Sequence, residues 1–393
     1  MALASFLHWN YTVGVLKLLL PLGLSFHTLQ SLAYVIEVYR GAYRAEHNLG
    51  VYALYIMFYP KLVAGPIERP QHLLPQFYEK HEFEYDRVVR GLRRMLWGMF
   101  KKVVIADSLA PLVSAVYAQP QWYTGPYLIE ATIFFALQIY CDFSGYVDIA
   151  LGSAQVMGFE LMENFKMPYL ATSISDFWRR WHISLSSWFR DYVYIPLGGN
   201  RVSTSRLYFN IFVVFLLSGF WHGANWTFAL WGMLHGIYVI LSKATFGLRE
   251  RVAQSVGLNF FPKFRNHLQV AITFSLVSFA WIFFRANNTS DALYIASHLF
   301  TGGWQSVWRF IISSQLVNAA VSSLYGTNLI ILLAAIFIAA HLVRGARKYG
   351  GLFNLFFNGP WLVPRWATYM AFTWAILLLG VFAGRHEFIY SAF

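Results

Sequence analysis

The chain has 393 residues, of which 58% are hydrophobic, 19% aromatic and only 12% charged, and its formal net charge is +12. Soluble domains carry about 25% charged residues, so the composition excludes an ordinary soluble fold. The single cysteine, Cys141, excludes an internal disulfide and a cysteine-rich metal site.

The first apolar run, residues 18–36, reads as a retained span, because no basic residue precedes Lys17 as a signal peptide requires. Tyr59, Pro60, Gly65, Pro66 and Pro70 mark a turn at a membrane boundary. In residues 83–104, Val89, Leu92, Leu96, Met99 and Val103 recur at i, i+3 and i+4 spacing. Arg87, Arg90, Arg94 and Lys101 occupy a different face. The pattern predicts a basic amphipathic helix lying in the membrane interface. Residues 109–129 and 131–141 are two further apolar windows. Asp142 and Asp148 follow them in otherwise apolar sequence. Buried carboxylates need partners, and the arginines of residues 178–190 are the expected ones, in structural ion pairs.

Residues 173–200 begin with Ser173 and Asp176 at capping-box spacing. As one helix, the segment places Trp178, His182, Leu185 and Phe189 on one face and Arg179, Arg180, Ser187 and Arg190 elsewhere. Pro196, Gly198 and Gly199 stop it. It is too charged to span and too aromatic for an exposed loop, so a tilted or re-entrant helix lining a cavity is predicted.

Between Arg206 and Lys243 there is no Asp, Glu, Lys or Arg. One straight helix over that stretch would run ~50 Å, beyond the ~30 Å hydrocarbon core of a bilayer. The chain must bend, break or turn back, and His222 sits where it would do so. Gly219 and Gly223 form a Gly-x-x-x-Gly pair suited to close helix packing. Ser218, His222, Asn225 and Ala229 share a face if the helix runs on. Apolar windows at 266–284, 328–343 and 366–384 bring the expected total to roughly seven to ten membrane segments. None of these runs alternates as a transmembrane β-strand does. The predicted fold is an all-α polytopic membrane protein, a multi-helix bundle with re-entrant and interfacial helices. Basic groups at 87–102, 249–265 and 344–348 flank the spans. They are expected on the cytoplasmic side, against anionic lipid rather than nucleic acid.

An ionisable residue inside a membrane segment is a functional candidate by default. His182 and His222 are the two such histidines, each in an apolar, aromatic segment with polar neighbours. Asn225 is a further polar candidate beside His222. Trp178, Arg179, Arg180, Trp221 and Asp142 are the other expected supporting or substrate-binding residues. No zinc-hydrolase spacing, nucleophile elbow, P-loop or dinucleotide fingerprint is present in the sequence. No metal is therefore expected. The rival, a two-histidine metal site completed by Asp142 or Asp148, has no spacing in its favour.

Several stretches carry a family resemblance. They are Leu20-Pro21-Leu22-Gly23, Tyr39-Arg40-Gly41, Ala64-Gly65-Pro66-Ile67 and Tyr140-Cys141-Asp142-Phe143-Ser144-Gly145. The longest are the run from Phe177 to Ser186, with Trp178, Arg179, Arg180 and His182 in it, the run from Trp188 to Asn200, and the run from Ser218 to Trp226. Glu387-Phe388-Ile389-Tyr390 resembles the family's usual ending. On these residues the chain resembles the membrane-bound O-acyltransferases, in the bacterial branch concerned with alginate. The resemblance implies one membrane-embedded acyltransferase domain over residues 1–393, with a tunnel meeting near the histidines. His222 would be the signature histidine and general base on an acceptor hydroxyl, His182 the second active-site histidine, and Asn225 or a backbone N–H the group that stabilises the developing oxyanion. It also implies a multi-pass protein of the bacterial inner membrane with no bound cofactor, which uses acetyl-CoA or another acyl thioester as donor substrate. The acceptor would be an exopolysaccharide, alginate-type or cellulose-type, reached through periplasmic or membrane partner proteins. Family members usually carry extra hydrophobic segments ahead of the Leu-Pro-Leu-Gly stretch, and this chain starts almost at it. A truncated or short form is therefore one expectation. The alternative function is a transporter or channel with a histidine proton relay. Sequence symmetry between two halves, which would favour it, is not apparent.

Overall fold

The computed structural model describes residues 23–303 and 361–382, and helices dominate them. The first half contains α1 (Leu24–Tyr39), α2 (Leu49–Met57), α3 (Pro70–Leu73), α4 (Tyr85–Met99), α5 (Asp107–Ala118) and α6 (Gly125–Met157). The second contains α7 (Ile174–Trp178), α8 (Ile183–Phe189), α9 (Thr204–His222), α10 (Trp226–Ala244), α11 (Phe246–Ser255), α12 (Pro262–Arg285), α13 (Thr289–His298) and α14 (Leu362–Leu379). Among the described residues, α6, α9, α12 and α14 are long and apolar enough to cross a membrane.

Among the described residues the apolar windows do not each become one span, for two reasons. Residues 131–141 are the middle of α6 rather than a separate span. Residues 109–129 are divided, because α5 ends at Ala118 and a short turn over Pro120–Trp122 precedes Gly125. The window at 328–343, the basic group at 344–348, residues 18–22 and the ending at 387–390 lie outside the described residues.

The long helix α6 is the axis of the fold, and α4 packs antiparallel along it. Gly91 faces Gly152 and Gly98 faces Gly145, and a Cβ on either α4 glycine would stand 2.6 Å from the facing carbonyl oxygen. Small residues at such a seam let two backbones approach closely. This corrects the sequence reading of residues 83–104. The buried side of α4 is its glycine side, whereas Leu92 and Met99 of the apolar stripe are exposed. The helix is packed on a neighbour, not simply laid on an interface.

The seam also carries the charges. After Met99 the chain widens into a π-helical turn over Phe100–Ala106. Lys101 pairs with Asp148 at 2.6 Å and Lys102 with Asp142 at 2.7 Å and Asp107 at 2.8 Å. Arg94 reaches Asp148 at 2.9 Å and Glu163 at 2.7 Å. The expected partners of Asp142 and Asp148, the arginines of residues 178–190, are therefore replaced by cations one helix away. The ion pairs themselves are as expected.

The uncharged stretch after Arg206 turns back on itself. Helix α9 ends at His222. Gly223 then takes φ 155 and ψ 156, a conformation essentially limited to glycine, and Asn225 starts α10. The Asn225 side-chain oxygen accepts the Thr227 N–H at 3.1 Å. Since the helix breaks, Asn225 does not share a face with Ser218 and His222. Gly219 packs across the hairpin on Gly232, where a Cβ on either would collide with a facing carbonyl. Gly219 is thus the packing glycine of the predicted pair, and Gly223 is the turn.

Candidate functional site

His222 is placed by the end of its helix. As the last residue of α9 it is only 3% exposed, and it lies in an aromatic shell. Its ring centroid is 4.7 Å from Trp221, 5.1 Å from Trp231 and 5.1 Å from Phe284.

His182 is placed by a break that helical periodicity does not reveal. The predicted single helix is two short ones, α7 and α8, with Arg179, Arg180 and Trp181 in the turn and His182 just before Ile183. His182 adopts φ 43 and ψ 56, the left-handed region that non-glycine residues seldom enter. The capping reading at the start does hold, since the Ser173 hydroxyl oxygen accepts the Asp176 N–H at 3.1 Å. His182 is 1% exposed. Phe143 of α6 stands edge-on to it at 4.8 Å.

Trp221 joins the two histidines. Its ring is 6.2 Å from His182 and 4.7 Å from His222, and Phe26 of α1 closes the same cluster at 6.0 Å from His182 and 5.4 Å from Trp221. The two imidazoles thus flank the same indole ring. Residues forty apart in sequence meet in one aromatic cluster.

The other predicted residues are distributed differently. Trp178 faces a third histidine, His235 of α10, and its indole N–H donates to His235 Nδ1 at 3.2 Å. That bond leaves the proton of a neutral His235 on Nε2. His235 is fully buried, and the Trp231 ring lies 5.1 Å from both His222 and His235. The sequence reading misses His235, although the rule that singles out His222 applies equally to it: an ionisable side chain in an apolar run. Arg180 forms a two-pronged pair with Asp176, at 2.9 Å on both prongs, and Arg179 extends outward with 74% of its side chain exposed. Asp142 belongs to the α4–α6 ion pairs and Asn225 to the cap of α10.

A cavity of about 420 Å³ lies beside the histidine pair. Lys101, Tyr140, Ser144, Phe165 and Lys166 are among its lining residues, and neither histidine is. Phe165 is 5.0 Å from Phe143, which in turn contacts His182, so one ring separates the cavity wall from the imidazole. Among the described residues, no group of three or more His, Cys, Asp or Glu is placed to hold a metal ion.

Apolar helices long enough to span, with buried charge pairs between them, define a polytopic membrane protein, and the buried histidine pair is its candidate site. Residues 44–285 match the model of the membrane-bound O-acyltransferase family, and the chain belongs to that family. It is an integral inner-membrane protein. It is 44% identical over 289 residues to a probable alginate O-acetylase of Pseudomonas aeruginosa, a match that covers 73% of this chain and 53% of that protein. A probable alginate O-acetylase of Azotobacter vinelandii is 41% identical over 330 residues, 84% of this chain and 62% of that protein. A peptidoglycan O-acetyltransferase of Helicobacter pylori is 38% identical over 314 residues, 72% of this chain and 58% of that protein. The chain thus spans between 53% and 62% of the length of these relatives. Both histidines fall within the matched region.

Proposed function

We propose that the chain is an O-acyltransferase that moves an acetyl group from a cytoplasmic thioester, acetyl-CoA in the simplest case, toward hydroxyls of a polysaccharide outside the membrane. The observation that carries this reading is the pair of buried imidazoles, His182 and His222, on either side of the half-buried Trp221 ring. A buried aromatic setting excludes water, which would otherwise compete with the acceptor for the acyl group.

In this reading His222 takes the proton of the acceptor hydroxyl as its oxygen attacks the thioester carbonyl carbon. The tetrahedral intermediate then collapses, the carbon–sulfur bond breaks, and the sulfur leaves as a thiol after regaining the proton. The product is an acetyl ester. His182 orients the thioester or polarises its carbonyl oxygen. The names of the relatives favour an exopolysaccharide such as alginate as the final acceptor. A cellulose-type polymer and periplasmic or membrane partner proteins that relay the acetyl group belong to the same proposal. Cation pairs along α4 and α6 stiffen the frame and have no step in the chemistry.

The test is a radiolabelled acetyl thioester supplied to purified protein in nanodiscs, with an alginate oligosaccharide as acceptor. The wild-type chain should release thiol and label the acceptor, and His222→Ala should do neither. Equal turnover by both proteins would remove acyl transfer at this site.

A further inference from the structure

We infer that Asn164 is a positioning residue for His182: its two carbonyl oxygens hold the amides that follow the histidine and so fix the left-handed turn that presents the imidazole beside Trp221 and His222. This inference rests on the acyl-transfer reading of the histidine pair.

The argument starts from the backbone. Among the described residues only Met167 and His182 are non-glycine residues with positive φ. Such a conformation persists only where its surroundings hold it. It also interrupts the helical bonding that would otherwise use the N–H groups of Ile183 and Ser184. Ser184 is buried and Ile183 half-buried, and N–H groups turned away from water need acceptors. Asn164 supplies both. Its main-chain carbonyl accepts the Ile183 N–H at 3.0 Å, and its side-chain Oδ1 accepts the Ser184 N–H at 3.0 Å. The next bond along, from the Lys166 N–H to the Arg180 carbonyl at 2.9 Å, ties the same loop to the other side of the turn. From the opposite side, the Ile67 N–H donates to the Ser184 hydroxyl oxygen at 3.0 Å. Asn164 is itself fully buried, and its Nδ2 has no hydrogen-bond partner among the described residues. The side chain therefore acts through its acceptor. A neutral aspartic acid, the form that this buried position favours, keeps that acceptor and exchanges the amide donor for an O–H.

This separation gives the test. Thiol release from acetyl-CoA is measured with the full chain in nanodiscs, for wild type, His222→Ala, Asn164→Ala, Asn164→Ser and Asn164→Asp. Misplacing a reacting group by about 1 Å can cost about 10²-fold in rate. Asn164→Ala should therefore lower kcat by about that factor, with KM within about twofold of wild type. Asn164→Asp should recover turnover to within about fivefold. If Asn164→Ala does not fold, the smaller change Asn164→Ser carries the comparison. Wild-type turnover by the Ala or Ser variant overturns the inference. So does a folded Asn164→Asp protein as slow as Asn164→Ala, because that places the unpartnered Nδ2, not the clamp, at the substrate. A wild-type chain no faster than His222→Ala is a different outcome, the failure of the acyl-transfer reading itself.

Discussion

Gly98→Ala adds one methyl group at the tightest point between α4 and α6. The new Cβ would stand 2.6 Å from the Gly145 carbonyl oxygen and 2.9 Å from the Ile149 nitrogen. Ordinary contact begins near 3.4 Å, so the shortfall is 0.8 Å, and it is against backbone that cannot rotate away. The helices must part. Overpacking of this kind costs about 1–3 kcal/mol, and the backbone contact puts Gly98 at the upper end. The better helix propensity of alanine returns about 1 kcal/mol. About 2 kcal/mol of net destabilisation remains, from a change that would be neutral or favourable on an open helix. Parting the helices also lengthens the Lys101–Asp148 pair, now 2.6 Å, which adds to the loss. For a chain of this size that corresponds to a fall of about 2 °C in Tm. The assay is a thermal melt of the detergent-solubilised protein followed by size-exclusion fluorescence. Gly247→Ala is the control, because no atom lies within 4 Å of its added Cβ. A Gly98→Ala protein that melts with or above wild type would refute the glycine seam.

Lys102→Met removes the cation that bridges Asp142 and Asp107. Breaking a buried pair from one side costs about 3–5 kcal/mol, so the variant should melt lower than Gly98→Ala, and adding Asp142→Asn should recover part of the loss. An unchanged melt would mean that the bridge does not hold the frame. Asn225 caps α10, and Asn225→Ala should cost about 0.5–2 kcal/mol in stability. Asn225→Asp keeps the cap and should keep near-wild-type turnover; a folded but inactive Asn225→Asp protein would restore the amide to the chemistry.

The spans and the hairpin are legible in the sequence because their causes are local. The hydropathy of α9, α12 and α14 is carried by unbroken apolar runs, and the uncharged stretch after Arg206 is too long to stay straight. A break near Gly223, with His222 beside it, follows from that length. His182 is legible for a less secure reason. Periodicity places it on a continuous helical face, whereas it sits in a left-handed turn held by Asn164, a residue eighteen positions away that no local pattern connects to it. The partners of Asp142 and Asp148 are hidden for a similar reason, because pairing across a helix seam is set by packing, not by neighbourhood in sequence. The buried side of α4 escapes a hydropathy pattern because glycine contributes nothing to an apolar stripe, yet Gly91 and Gly98 mark that side. His235 is within reach of the sequence, since it lies in the same uncharged stretch as His222. Its bond to Trp178 is not, because fifty-seven residues separate the two.

The central claim is that His182 and His222 work as one centre for acyl transfer. Its most direct measurement is the turnover of an acetyl thioester by wild type, His182→Ala, His222→Ala and the double variant, each checked for normal insertion and accumulation. General acid–base groups contribute about 10²–10⁴-fold, so His222→Ala should fall by that order and His182→Ala by as much or less. Groups that act as a unit are not additive, so the double variant should be no slower than the worse single one by more than a few-fold. A double variant whose loss is the full product of the two single losses would place the histidines in separate steps, and wild-type turnover in His222→Ala would contradict the account outright.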